Sequence, residues 1–253
     1  MLVQARHDRL RLITQHHHGL LSGRLAWQWR GVGSNRAALP FELQLAVTLH
    51  DVAWESVDRQ ARYNGDTQRP YEFVDHPLED KDVFYREGLD WIERIEPCAG
   101  LLCSMHYTTF IGTDTLEAFQ AGERDRRKRL KAQLALSAQD DDRLDAQLHF
   151  LKMFDNFSLF LCLMGPSAVE KERFPWLNPD FFATTPQGES FQLRWVNDQT
   201  VTVDPFPFAE PFDVCVPYRD LPAKSFANDK ALQDAWKAAP TETMQFRLRP
   251  IDS

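Results

Sequence analysis

Four interruptions of apolar, helix-like sequence constrain this chain more than any other feature: His18, His50-Asp51, His106 and Asp155. His18 opens the stripe Leu21, Leu25, Trp29, and His50-Asp51 closes the mostly apolar run Leu43 to Leu49. His106 follows Leu101-Leu102-Cys103-Ser104-Met105, and Asp155 stands between Phe154 and Phe157. A buried imidazole or carboxylate is strongly disfavoured unless it is hydrogen-bonded, paired or bound to a metal. The sequence therefore asks for a fold that supplies these residues with a cation or with one another.

The surrounding patterns place them on helices. Leu20 to Trp29 repeats at helical spacing from Gln15 onward, and Gly31, Gly33 and Ser34 end the run. Pro40 opens a second helix expected over Phe41 to about Ser56, proline being tolerated at a helix start. If that helix is continuous, Trp54 lies about 40° and Asp58 about 80° around its axis from His50, which lets His50, Asp51, Trp54 and Asp58 face one pocket. Val57 to Pro77 is broken by Asn64-Gly65, Pro70 and Pro77 and reads as a loop, a candidate lid. Further helices are expected over Lys81 to Arg94, Ala99 to His106, Thr115 to Leu136 and a last stretch carrying Leu144 to Met164.

Two segments carry a period of two. Leu2 to Arg6 and Leu10 to Thr14 flank a polar tip and predict a β-hairpin. Its His7-Asp8 is a second literal His-Asp pair, but a solvated tip gives it no scaffold. Phe191 to Val196, Thr200 to Val203, Phe212 to Pro217 and Met244 to Leu248 predict strands, with one helix over Asn228 to Lys237. The expected architecture is α+β: a hairpin over 1–14, a helical metal-binding core over 15–180, and a β-rich segment over 187–253 forming a small antiparallel sheet with the hairpin.

Composition excludes several functions. A net charge of -8 argues against a general nucleic-acid grip, and the basic run Arg124 to Lys131 reads as a solvated helix face. Met1 to Gln15 contains Arg6, Arg9 and Arg11 and no apolar core of secretory length, and no run is long enough to span a membrane. Cys98, Cys103, Cys162 and Cys215 lack zinc or disulfide spacing and read as reduced, buried thiols, which fits the cytoplasm. The expected partner is a small-molecule substrate.

A histidine and an aspartate on consecutive residues can chelate one divalent ion, and mixed nitrogen and oxygen donors suit Mn, Fe, Ni, Co or Zn, with Mg also admissible. Read alone, His106 is equally a hydrogen-bonded core histidine and His18 a helix N-terminus. Trp54, Tyr63, Tyr71, Phe73 and Tyr107 lie near the candidates in sequence, as pocket walls or as ordinary packing.

The order His18, His50-Asp51, Asp155 resembles the HD-domain superfamily of metal-dependent phosphohydrolases. The fuller wording resembles a mainly bacterial family of unknown function, DUF3891. It comprises Gln15-x-x-His18 with Leu21-Ser22-Gly23-x-Leu25-Ala26, Leu49-His50-Asp51-x-x-Trp54, Leu102-x-Ser104-x-His106, Phe154-Asp155-x-x-Ser158-Leu159 and Pro205-Phe206-Pro207-Phe208. The first resemblance implies an HD-type helical bundle in which His18, His50, Asp51 and Asp155 hold a metal that activates water for attack on a small phosphoester such as a nucleotide. His106 is then a further ligand or an acid/base group, with Asp58 as a second proton-handling candidate. Many such hydrolases carry Gly-Lys where this chain has Ala53-Trp54, so Arg59, Arg62 or Arg69 would have to supply the missing cation. The same scaffold also implies two alternatives: a di-iron oxygenase, needing two more histidines from among His76, His106 and His149, or a non-enzymatic metal or nucleotide sensor.

Overall fold

The computed structural model describes residues 1–33, 36–109, 117–166 and 174–251. The expected boundary residues Ser34 and Thr115 lie outside them. In chain order the elements are β1 (Leu2–Ala5), β2 (Arg9–Ile13), α1 (Gln15–Gln28), α2 (Phe41–Leu49), β3 (Tyr63–Asn64), β4 (Arg69–Pro70), α3 (Leu78–Ile95), α4 (Pro97–Tyr107), α5 (Glu117–Gln133), α6 (Asp141–Leu163), α7 (Pro179–Phe182), β5 (Gln192–Asn197), β6 (Thr200–Asp204), β7 (Phe212–Pro222), α8 (Asp229–Ala238) and β8 (Glu242–Arg249).

The expectation of an HD-type helical bundle with a small antiparallel sheet is wrong. The architecture is mixed α/β, with a six-stranded sheet in the order β1-β2-β7-β8-β6-β5. It is not purely antiparallel, because β6 and β8 run parallel with Val201 opposite Leu248. Its size follows from β7, whose 11 residues span two partners. Phe212 to Tyr218 pair with β8, and Arg219 to Pro222 pair with β2. Pro217 made the strand look finished. It sits beside the handover between partners, where a proline's missing donor is tolerated.

The sheet is also part of the main core rather than an appendage. Val201, Val203, Val214, Val216, Phe246 and Leu248 are buried in one cluster with Leu21, Leu25, Leu101, Leu102, Phe154 and Phe157 from the helices. Leu2 and Ile13 join that cluster, whereas Val3, Leu10 and Leu12 face a second one built with Leu232 and Trp236 of α8. Both faces of the hairpin are therefore covered, and every second residue cannot be polar. At the centre, Trp29 makes edge contacts with Phe150, Phe154, Phe191 and Phe208, so the Pro205 to Phe208 motif docks against the end of α1.

Among the helices, α1, α2, α4 and α6 pack against one another. Gly23 permits the crossing of α1 with α2: a Cβ there would lie 2.8 Å from Thr48 Cβ and 3.0 Å from its Cα. The basic run of α5 is not merely solvated. Arg126 bridges Asp90 and Glu93 of α3 and Glu123 of its own helix, with only 10% of its side chain exposed. Arg127 donates to the Ser104 carbonyl and to Thr108 Oγ1, tying α5 to the end of α4. No helix among the described residues is long and apolar enough to cross a membrane.

Candidate metal centre

The second helix is shorter than its pattern suggested. α2 ends at Leu49, His50 caps it, and the chain bends at Asp51 (φ -111°, ψ 17°) into a 3-10 turn over Val52–Glu55. His50 and Asp51 thus sit at a corner rather than on a helix face. The bend carries Asp58 away from them, where its carboxylate accepts from Gln15 N at 2.7 Å and pairs with the Met1 amino nitrogen at 3.1 Å. Asp58 therefore does not share a pocket with His50 and Asp51 as the helical spacing predicted.

The other four positions converge with Asp51. His18, His50 and Asp51 can each offer a ligand atom within 4.8 Å of the other two, and so can His50, His106 and Asp155. His50 belongs to both groups. The imidazoles are at most 1% exposed and the two aspartates 8%. His18 Nε2 lies 2.6 Å from Asp51 Oδ2, His50 Nε2 lies 3.4 Å from Asp155 Oδ1, and His106 Nε2 lies 3.5 Å from Asp155 Oδ2.

Hydrogen bonding fixes how two of the rings face. His50 Nδ1 lies 2.8 Å from the Val47 carbonyl, which can only accept, so Nδ1 carries the proton and a neutral ring turns its Nε2 lone pair toward the carboxylates. That Nε2 is buried and has no hydrogen-bond partner; at 3.4 Å its approach to Asp155 is an ionic contact without hydrogen-bond geometry. His18 Nδ1 lies 2.7 Å from Ser158 Oγ, which itself donates to the Asp155 carbonyl, leaving His18 Nε2 to face Asp51. A shared proton accounts for the 2.6 Å hydrogen bond between His18 Nε2 and Asp51, whereas a neutral His50 Nε2 lone pair repels the carboxylate oxygens unless a cation lies with them. Anchoring the distal nitrogen so that the other points inward is how protein imidazoles are set for metal binding.

The carboxylates that would hold a cation also favour a proton on His50. Burial alone would push the His50 imidazole down, but the neighbouring Asp51 and Asp155 charges override it and raise it to about 9. Burial likewise opposes ionisation of Asp155, yet His50, His106 and His18 hold it at about 2. His106 goes the other way, pushed down to about 3 by burial despite Asp155. The donor set of three imidazoles and two carboxylates fits a borderline divalent ion such as Mn, Fe, Co, Ni or Zn.

A cavity of about 510 Å³ opens onto this cluster. Asp51, His106 and Asp155 line it with Trp54, Phe73 and Tyr107, the aromatic residues noted in sequence, while Tyr63 and Tyr71 lie elsewhere. The sequence reading missed Lys81, Tyr85, Lys152, Asn156 and Trp176, which also line it. Lys152 was findable, one helical turn before Asp155 on the same face. None of Arg59, Arg62 and Arg69 reaches the cavity lining, and Arg62 pairs with Asp80 instead. His76 is buried against Trp54, Tyr71 and Phe84 outside both ligand groups, and His149 is exposed with Nε2 on the Thr184 carbonyl. The hairpin-tip pair His7-Asp8 is exposed.

The family model described as "Protein of unknown function (DUF3891)" matches residues 1–223. The chain belongs to the DUF3891 family. No curated protein and no solved structure matches it. In this DUF3891 protein all five candidate ligands fall inside the matched range, whereas α8 and β8 lie beyond it.

Proposed function

We propose that the protein is a metal-dependent hydrolase of a small phosphoester, working at the centre formed by His18, His50, Asp51, His106 and Asp155. The observation that carries this reading is the buried Nε2 of His50, without a hydrogen-bond partner and facing two carboxylates while Val47 holds its Nδ1. A divalent ion in such a centre supplies an activated water and stabilises charge on a phosphoryl group. The chain's own residues do the rest. Asp51 and Asp155 neutralise charge, Ser158 and Val47 orient His18 and His50, and His106, bordering the cavity, completes the ligand set or handles a proton. The aromatic walls exclude water around the reacting group.

The order of ligands along the chain supports the reading through its resemblance to HD-superfamily hydrolases. That support comes from the four residues alone, since the six-stranded sheet departs from a helical scaffold. The test is metal analysis of the purified protein, followed by assays on phosphomonoesters and phosphodiesters with Mn, Mg, Ni and Co. Bound divalent metal with turnover abolished by Asp51→Ala is expected. Metal binding without turnover would move the protein to a sensing role, and a chain that binds no divalent ion would refute the reading.

A further inference from the structure

Among the described residues lining the cavity, four carry a formal charge: Asp51, Asp155, Lys81 and Lys152. The aspartates belong to the candidate metal centre, and the lysines come from separate elements, α3 and α6. Lys81 is only 9% exposed. Its ammonium donates to the Phe73 carbonyl at 2.8 Å and lies 5.7 Å above the Trp54 ring. Those contacts use one of its three hydrogens. Among the described residues it forms no ion pair, although a buried ammonium is disfavoured without an anion. Lys152 is half-buried, one turn before Asp155, and makes neither a hydrogen bond nor an ion pair among the described residues. A third unfilled group faces the same space: Gln15, 4% exposed, has its Oε1 without a partner.

The charge balance identifies what would fill this space. The two lysines offset the two aspartates, so a bound divalent ion leaves its own two positive charges uncompensated. A dianion restores neutrality in a buried cavity, where imbalance is expensive. A phosphomonoester carries two negative charges and a phosphodiester one.

We propose that Lys81 and Lys152 form an anion clamp beside the candidate metal, selecting a phosphomonoester dianion over a diester. The proposal rests on the hydrolase reading and sharpens it. Lys81 is the buried anchor, its ammonium over the ring of Trp54, the residue at the position where a lysine was missed in the sequence. Lys152 reaches the same cavity from α6, and the Gln15 amide is left for the organic part of the substrate.

The experiment uses the whole chain loaded with Mn, comparing wild type with Lys81→Met, Lys81→Arg and Lys152→Met. Metal content is measured first, then inorganic phosphate affinity by calorimetry, then turnover of p-nitrophenyl phosphate against bis(p-nitrophenyl) phosphate. Each Met variant is expected to keep its metal, lose about tenfold or more in phosphate affinity, and lose much of the preference for the monoester. Lys81→Arg keeps the charge and most of the affinity. Lys152→Met guards against a folding defect at Lys81, because Lys152 supports no other group. Normal metal content with phosphate affinity unchanged in both Met variants, or a wild type that prefers the diester, overturns the clamp alone. A wild-type chain that binds no metal overturns the hydrolase reading and the clamp with it.

Discussion

Gly88→Ala tests how α3 holds the metal-site corner in place. A Cβ at Gly88 would lie 2.7 Å from Ala53 Cα and 3.2 Å from Ala53 N, and closer still to the Ala53 Cβ, against an ordinary contact range of 3.4–4 Å. The atoms it meets are backbone, so no rotamer change relieves the clash, and α3 must part from the turn by roughly 1 Å. Two effects oppose each other. Alanine gains about 1 kcal/mol over glycine inside a helix. Overpacking costs about 1–3 kcal/mol, and a backbone obstacle puts this site at the upper end. The net expectation is destabilisation by about 2 kcal/mol, a fall in Tm of about 4–8 °C for a chain of this size. Ala53 lies between Asp51 and Trp54, so metal affinity should fall with stability. Thermal and urea unfolding read the first effect and metal titration the second. Gly65→Ala is the control, its nearest neighbour being 4.0 Å away; it should stay within about 0.5 kcal/mol of wild type. A Gly88→Ala protein as stable as wild type would mean that helix propensity dominates and that the corner is not wedged as described.

Ser158→Ala removes the hydroxyl that orients His18, and metal affinity should drop about 10–100-fold with little change in the far-ultraviolet circular dichroism. Hydrogen bonds from Arg129, with Arg126, hold the Glu93 carboxyl below its ordinary 4.5. Its contribution is therefore present above that pH and lost as pH falls through the lowered value. Denaturation between pH 6 and about 3 should show Glu93→Gln costing about 0.5–1 kcal/mol near neutrality and progressively less in acid. A cost that grows in acid would contradict the pairing. Burial raises the thiol pKa of Cys98, Cys103 and Cys162, whereas Cys215 is exposed. A thiol reagent should accordingly modify one cysteine in the native protein and all four after unfolding.

The candidate ligands were legible because burying such residues is costly, and that cost is visible wherever a His or Asp breaks an apolar run. His18, His50, Asp51, His106 and Asp155 converge for this reason, although no local signal fixed the corner at Asp51. A helix of apolar residues that ends about two turns early looks the same in sequence as one that continues, so Asp58 was misplaced. Lys81 escaped notice because a lysine in a first helical turn normally faces solvent, and its burial depends on Phe73 from the preceding loop. The strands were mostly visible from their alternation, but the sheet was not. The hairpin buries both faces, and β7 changes partners beside Pro217, two facts that belong to tertiary packing. The exposed Cys215 likewise sits on a strand whose neighbours, Val214 and Val216, are buried, a period-two pattern that could have separated it from the other cysteines.

The position of β8 has a consequence for synthesis. β5 with β6, and β1 with β2 and β7, form two ladders that meet only through this strand, and it follows all the others in the chain. Until it emerges from the ribosome, β6 and β7 each present an open edge able to recruit a strand from a neighbouring nascent chain. The wedge it must enter is parallel on one side and antiparallel on the other, and both pairings join residues distant in sequence, which slows their formation. Expression yield should thus depend on how quickly β8 is translated and captured, even though every candidate metal ligand has left the ribosome long before.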